Sequence, residues 1–591
     1  MCGFVFYKSI KKNVDVLSTT KKMLDKIEHR GPDGSNLYYY EEQNLALGHN
    51  RLAIIDLDER ADQPLLSKCK NVKLVFNGEI YNYKEIRSDL IKEGYAFFTN
   101  SDTEVVLNSY LHYGISCFDE FDGMFSVVIV DDRSSEIIIS RDSRGVKPLY
   151  IYKSRDEIIL GSELKCFNHI FSFENINKVA LSNFLVDGYI NGESTPFNDI
   201  NKFKKGTSAV YDLNSLKLLG EFAIESKVVT HECLYDSVVQ GVKSRFVSDV
   251  PVGIFLSGGI DSTLVAAIAK RELGFTPVCF TLGLENDSRD ESTHAEKIAS
   301  DLGLEHKIIK VDNNIIRERI KEIFKVYDEP FADISSVLTL ILSEFASNHV
   351  KVALSADGGD ELFFGYKRQQ YYNNHLITIL RNNSITRCFG SLFFGVLGDL
   401  FNSKSYKCFK ASSILGIKDE IKSYRHYNGT FNSNELLVGI TNDEYSHPFE
   451  FDFQDYMPND IFQKVDRASM RFGLEAREPL MHNSIYMNSN MRHGKYTTVG
   501  KKDLKEILLG IYPEYEVIEK SGFSFSLEKN ADFLFDEDSI DWDLIASLNL
   551  INRNVVKRLK AKQQNKNSSE IQKLFFLFVL CGWFKTWCKY D

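Results

Sequence analysis

Short apolar runs separated by turn signals dominate the first ~215 residues, the pattern of half-buried strands. Val72–Phe76, Phe125–Val130, Glu136–Ser140 and Leu149–Tyr152 are the clearest. Lys84–Glu93 and Thr103–Tyr113 space their apolar residues by three and four and predict helices. The pattern predicts an α+β unit with antiparallel sheets over residues 2–215. Beyond residue 228 the rhythm changes. Apolar strands Pro251–Leu256, Val278–Leu282, His306–Val311 and Lys351–Ser355 alternate with helical stretches Ser262–Leu273, Glu291–Leu302, Ile315–Tyr327 and Val337–Ser347. That alternation predicts an α/β doubly wound parallel sheet, followed beyond Tyr366 by a largely helical part, within a second domain of residues 228–591. Leu213–Thr230 reads as the junction and Lys560–Ser569 as a loose polar run. The aromatic-rich segment Tyr371–Tyr445 reads as helical packing, and no repeat of 20–50 residues is found.

Composition narrows the class. A chain of 591 residues is too long for one core. Its 43% apolar and 26% charged residues are those of an ordinary globular protein. The balance of 71 basic and 82 acidic residues, net −11, argues against non-specific binding to nucleic acid or anionic membrane. Ten cysteines without CxxC spacing argue against a zinc or disulfide framework and fit a reducing cytoplasm. The N-terminus has no basic segment leading an apolar one, so no signal peptide is expected. The longest apolar run, Leu574–Phe584, has eleven residues. A spanning helix needs roughly 20, so a buried helix is expected instead.

Two stretches bear chemistry. Cys2 follows the initiator methionine and precedes small Gly3, which favours removal of Met1. The thiol then shares a residue with an α-amine of pKa roughly 7.7–8.0, so one residue supplies nucleophile and base. A cysteine at position 2 is by itself more often plain packing. Three further segments raise its standing: the charged turn His29–Gly34, the stretch Gly48–Asp56, and Val75–Asn82. Arg51, expected at the head of a strand, suits bidentate binding of a carboxylate. Asn77 and Gly78, expected as a turn, offer an amide and an N–H for an oxyanion, and Glu79 a carboxylate for an ammonium. Asp102 opens a helix and reads alone as an N-cap. Together these resemble the class II glutamine amidotransferase domain, an N-terminal-nucleophile hydrolase fold. The resemblance implies that Cys2 attacks the glutamine side-chain amide while Asn77 and Gly78 hold the oxyanion. Arg51 would hold the glutamine carboxylate, Asp102 and Glu79 its ammonium, and the backbone of Ile54 and Ile55 the pocket wall.

The second stretch, Ile254–Ser262, runs from a strand end through Ser257-Gly258-Gly259 to Asp261 and Ser262 at a helix start. Two glycines and unpaired helix N–H groups suit an anion, but no lysine follows as in a Walker A loop. The form resembles the pyrophosphate loop of ATP pyrophosphatases, which yield AMP and pyrophosphate. About a hundred residues on, Leu354–Tyr366 is an acidic, glycine-containing loop after another strand. In a parallel sheet both loops reach the same edge. Carboxylates beside a triphosphate imply Mg²⁺, with Asp261 and Asp360 as ligands; alone, the acidic loop reads as a solvated turn.

The order of the two halves resembles the glutamine-dependent asparagine synthetase family, as do Tyr327–Asp333, Lys464–Met470, Gly500–Lys505 and Lys520–Phe523. The resemblance implies ATP contacts from Leu256, Ser257, Gly258, Gly259, Asp261, Ser262, Leu282, Ser355 and Ala356, with the adenine near Leu282-Gly283. It implies proton removal by Asp357 with Tyr366, charge stabilisation by Lys501, and a dry passage for ammonia between the domains. The implied substrates are glutamine, ATP and aspartate, the product asparagine, and a homodimer is left open. Some positions depart from the family pattern. Asp357 replaces a glutamate found in some members and Phe364 what is often glycine. Glu478 and His482 replace valine and aspartate in Glu475–His482. These put the acceptor in question, so a rival is the same chemistry on another carboxylate, such as a uronic acid of a surface polysaccharide. Further rivals are an inactive scaffold, against which intact Cys2, Arg51, Asn77, Asp102, Asp261, Asp360 and Lys501 argue, and a β-lactam-forming synthetase, which needs no N-terminal thiol.

Overall fold

A computed structural model describes residues 2–171, 173–227, 232–372, 424–425, 431–432, 434–440, 445, 447–489, 500–518, 523–536, 538–563 and 570–588. Most of the aromatic-rich segment 371–445 lies outside the described residues. So do the end of the junction at 228–231, residues 519–522, and the polar run at 564–569.

Strands are numbered in chain order. One sheet joins β1 (Gly3–Ser9), β2 (Gly34–Tyr40), β3 (Leu45–Arg51), β8 (Tyr150–Lys153), β9 (Glu157–Gly161) and β10 (Ile200–Lys202) in the order β10-β8-β9-β1-β3-β2. A second joins β4 (Leu65–Leu66), β5 (Val72–Ile80), β6 (Gly123–Asp131), β7 (Glu136–Arg141), β11 (Thr207–Asp212) and β12 (Leu218–Ala223) in the order β12-β11-β7-β6-β5-β4. All pairings in both are antiparallel. Alternation along the strands decides which face goes where. Phe4 and Phe6 join Leu47, Val75, Val128 and Ile139 in the layer between the sheets, while Val5 and Tyr7 point outward to the helix Val16–Asp25. The helix Asp102–Tyr113 covers β5 from the far side. This is the antiparallel sandwich between helices that the N-terminal resemblance implied.

The second domain centres on a parallel sheet of β13 (Val252–Phe255), β14 (Cys279–Leu284), β15 (His306–Val311), β16 (Val352–Leu354) and β17 (Glu475–Arg477), in the order β15-β14-β13-β16-β17. The helices Ile260–Ala267, Ser292–Leu302 and Ser336–Ser347 form where the pattern predicted. The expected single helix over Ile315–Tyr327 is instead three short pieces, Asn313–Arg319, the 3-10 turn Ile320–Glu322 and Ile323–Val326. β17 lies in the part expected to be helical. It pairs with β16 in register Leu354↔Arg477 and extends the sheet toward the first domain.

The apolar C-terminal run forms the buried helix Ile571–Trp587. Its Trp583 indole donates to the Asp328 carbonyl at 2.9 Å, and its Phe576 ring lies 5.6 Å from Phe184 of the first domain. Among the described residues no helix is long and apolar enough to cross a membrane. The domains meet through buried charges. Arg30 donates to Asp466 at 2.8 and 3.1 Å and to Glu163 at 2.8 Å. Tyr150 donates to Glu329 at 2.6 Å, and the Lys165 amide to Asp328 at 2.8 Å. Burying such groups is tolerable only because each meets an opposite charge or a hydrogen-bond partner.

Candidate active sites

Cys2 sits buried immediately before β1, facing the end of β3 and the middle of β5. Its backbone nitrogen donates to Asn77 Oδ1 at 3.1 Å, and its carbonyl accepts from Arg30 Nε at 3.0 Å. The thiol lies 4.0 Å from the Leu52 carbonyl. Burial pushes the thiol's pKa up, against the lowering effect of Arg51. A thiol held neutral needs a base, and the nitrogen fixed by Asn77 is the one that excision of Met1 would free as an amine. Asn77 Nδ2 is buried with no hydrogen-bond partner among the described residues. An amide donor left open beside a nucleophile fits an oxyanion that arrives with substrate.

Two sequence expectations need correction here. Asn77-Gly78 is not a turn: β5 runs on to Ile80, pairing Asn77 with Ser126 and Gly78 with Phe125. Glycine is required by close approach, since a Cβ at Gly78 would lie 2.1 Å from the Met124 carbonyl oxygen. Arg51 is not at the head of a strand but ends β3. Its guanidinium reaches Asp62 at 2.7 Å and the Asp58 carbonyl at 2.9 Å, and turns toward the carbonyls of Ile55 and Asp56. Asp102 is the first residue of its helix, and Ser101 is the N-cap. Asp102 accepts from the Ile80 amide at 3.0 Å, and burial raises it to about 6. Glu79 is buried, its Oε1 3.3 Å from Arg477 and its Oε2 without a hydrogen-bond partner among the described residues. The Ile54 carbonyl accepts from the Asp249 amide at 3.0 Å.

The second centre lies at the carboxyl edge of the parallel sheet. After β13, Leu256 is buried, and the loop turns through Ser257, Gly258 and Gly259 into the helix starting at Ile260. The Ser257 amide donates to Ser262 Oγ at 3.2 Å, and the two hydroxyls lie 3.0 Å apart. Tyr515 caps the Gly258 carbonyl at 3.0 Å. Leu282 lies buried on neighbouring β14. After β16, Ser355 Oγ donates to Asp357 at 2.5 Å, with Ala356 between them. Asp261 and Asp360 converge on Lys501, which bonds Asp261 and lies 2.8 Å from Asp360. A Cβ at Gly365 would meet Asp360 Oδ1 at 2.1 Å and Lys501 Cε at 2.2 Å, so only glycine admits this approach.

Tyr366 was expected beside Asp357, but its hydroxyl donates to Glu361. Glu361 was not singled out in the sequence. It is buried on the short helix Gly359–Leu362 and raised to about 7 by burial and by Asp360. Phe364 adopts a left-handed φ of 55°, which explains why glycine is common there. Full burial and the Phe449 ring 5.0 Å away hold the larger residue in place. His482 lies 3.3 Å from Asp122 of the first domain, and Arg245 and His482 together hold that carboxyl down to about 2 against the cost of its burial. Glu478 is buried, and burial raises it to about 8 in the field of Lys147 and Asp357. Arg30, Asp466 and Arg477 were not named as site residues. Each has a polar, charged or glycine neighbour in the sequence, so no local pattern marks it as buried or as part of a site.

Comparison with known families follows the same division. Residues 1–219 match a glutamine amidotransferase domain, and residues 234–588 match asparagine synthase. The protein is therefore a glutamine-dependent amidotransferase of the ATP-using ligase class. The chain belongs to the asparagine synthase family. Asparagine synthetase (glutamine-hydrolyzing) 1 of Bacillus subtilis is 28% identical over 554 residues, 88% of this chain and 86% of that protein. Asparagine synthetase (glutamine-hydrolyzing) 3 of the same organism is 30% identical over 394 residues, 62% of this chain and 63% of that protein. A relative with a different name, amidase chry2 of Gibberella zeae, is 29% identical over 385 residues, 60% of this chain and 56% of that protein.

Proposed function

We propose that the chain hydrolyses glutamine at Cys2, passes the ammonia inward, and uses ATP to convert aspartate to asparagine with release of AMP and pyrophosphate. The observation that supports the linkage most directly is Arg30. One guanidinium binds the Cys2 carbonyl and, across the domain boundary, Asp466.

The Cys2 amine takes the thiol proton, and the thiolate attacks the glutamine amide carbon. Asn77 Nδ2 and the Gly78 N–H receive the oxyanion, and ammonia leaves. Water then releases glutamate. Arg51 holds the glutamine carboxylate, Glu79 and Asp102 its ammonium, and the carbonyl wall at Ile54 and Ile55 lines the pocket. At the second centre Leu256 and Leu282 bracket the adenine, and the Ser257–Ser262 loop with Ser355 and Ala356 takes the phosphates. A carboxylate is a poor acyl donor because oxide would be its leaving group; its attack on the ATP α-phosphate expels pyrophosphate and forms an acyl-adenylate, whose leaving group is AMP. Ammonia then attacks the acyl carbon, and Asp357 with Tyr366 accepts the proton it loses.

The donor set fits Mg²⁺. Asp261 and Asp360 supply hard oxygens. Among the described residues no group of three His, Cys, Asp or Glu side chains is arranged to hold a metal, so phosphate and water would complete the shell. A bound Mg²⁺ would neutralise the departing pyrophosphate. Asp261 and Asp360 would hold the ion, and Lys501, which now lies between them, would supply positive charge to the phosphates.

A second reading keeps the chemistry and changes the acceptor. Glu478 favours it, because it adds a buried carboxyl near Asp357 where the family pattern has valine. Pyrophosphate and AMP release with ATP, Mg²⁺, glutamine and a panel of carboxylates decides between them. Aspartate-dependent pyrophosphate and asparagine are expected. Turnover only with another carboxylate, such as a uronic acid, would select the second reading, and formation of ADP and orthophosphate would overturn both.

A further inference from the structure

The amidotransferase half does not build its pocket alone. Arg477 of β17 is wholly buried. Three of its interactions lie within its own domain: Nε to Glu475 at 2.5 Å, and Nη1 to the carbonyls of Arg245 at 3.0 Å and Val247 at 2.6 Å. These fix the plane of the guanidinium, and the remaining nitrogen, Nη2, lies 3.3 Å from Glu79 Oε1 across the domain boundary. The neighbouring Tyr81 ring is flanked by Arg477 at 5.6 Å and by Arg245 at 4.1 Å. A second synthetase residue, Asp249, receives the Asp56 amide at 2.8 Å and donates its own amide to the Ile54 carbonyl. Two walls of the glutamine pocket are thus set from the other domain.

We propose that Arg477 is a positioning residue of the glutamine pocket, holding the Glu79 carboxyl aimed at the glutamine ammonium. The inference rests on the glutaminase reading of Cys2. Glu79 pairs one oxygen with Arg477 at 3.3 Å, and the other is buried without a hydrogen-bond partner among the described residues. Burial, Glu475 and Asp102 push its pKa well above the usual carboxylate range, and Arg477 is the chief cation opposing them. Removing Arg477 takes away both that opposing charge and the contact that orients the Glu79 carboxyl. Lysine keeps the charge but not the planar fork.

The test is steady-state glutamine hydrolysis by the full-length chain, read as glutamate released, for wild type, R477M, R477K and E79Q, with thermal melting to check folding. R477M and E79Q are each expected to raise the glutamine KM by roughly tenfold or more with kcat within about threefold, and R477K to raise it by about three- to fivefold. The double variant E79Q/R477M is expected to be no worse than E79Q. A KM within twofold of wild type in R477M overturns the inference, as does a lower kcat at unchanged KM. If R477M fails to fold, R477K decides by the same twofold limit. A wild-type chain that releases no glutamate overturns the glutaminase reading and this inference together; a working wild type with unaffected variants overturns the inference alone.

Discussion

Around Cys2 polar atoms are left open: Asn77 Nδ2 and Glu79 Oε2 are buried with no hydrogen-bond partner among the described residues. At the Ser257–Ser262 loop the nearby charges are already paired, with Lys501 lying on Asp261 and Asp360, as Arg51 lies on Asp62 in the first region. A buried unsatisfied donor or acceptor costs about 1–3 kcal/mol, and a ligand that supplies the missing partner recovers it. Under the proposed function, a ligand meeting Asn77 and Glu79 would bind by addition, whereas Arg51, already on Asp62, and Lys501, already on Asp261 and Asp360, would each exchange an internal counterion for one. The first region would combine both modes, and the second would rely on exchange.

The sharpest way to break this comparison is at the thiol. Cys2→Ala is expected to lower glutamine-dependent amide formation by ~10³-fold or more and to leave ammonia-dependent formation within about threefold, as measured by pyrophosphate release with each nitrogen source. Loss of both would mean the regions do not act separately, and a chain found by mass spectrometry to retain Met1 would remove the base. Lys501→Met comes next. Pyrophosphate release should fall by ~10²–10³-fold, while glutamate release stays within about twofold. An equal loss in both assays would show that Lys501 acts on the fold and not on the exchange.

The smallest effect is a pH dependence. Burial raises Glu478 from 4.5 to about 8. A carboxyl with a raised folded-state pKa keeps its proton while the unfolded chain has lost it. Stability therefore falls as pH rises from 4.5 toward 8 and is flat above, with a slope of at most ~1.4 kcal/mol per pH unit. Glu478→Gln should remove this slope, so that thermal melting of the variant gains on wild type between pH 5 and 8. Parallel melting curves over that range would mean that the side chain is solvated as an ordinary glutamate.

Much of this was legible in the sequence where local chemistry and pattern agree. Ile254–Ser262 reads as strand, loop and helix because the apolar run, the glycines and the helix start follow in order, and they fold that way. β17 was not legible. Three residues, two of them charged, look nothing like a core strand, and they are buried because Arg477 and Glu475 pair with each other inside the protein. Asn77-Gly78 misled for a related reason, since residues that favour turns are held in a strand by nine pairings with β6. The helix over Ile315–Tyr327 had the right period, but its middle tightens into a 3-10 turn that no spacing of apolar residues announces. The pairing of Tyr366 with Glu361 in place of Asp357 needed the geometry of a single short helix.

The ionic seam of Arg30, Glu163, Asp466 and Arg467 also bears on how such chains evolve. Its members are contributed in equal number by the two halves. Replacing one half with its counterpart from a distant relative would strand an arginine or an acid in a water-free joint, a penalty of about 3–5 kcal/mol for each orphan. The two halves are modular in their motifs but share one set of buried ion pairs, and a chimera would be expected to fold only when all four side chains travel together.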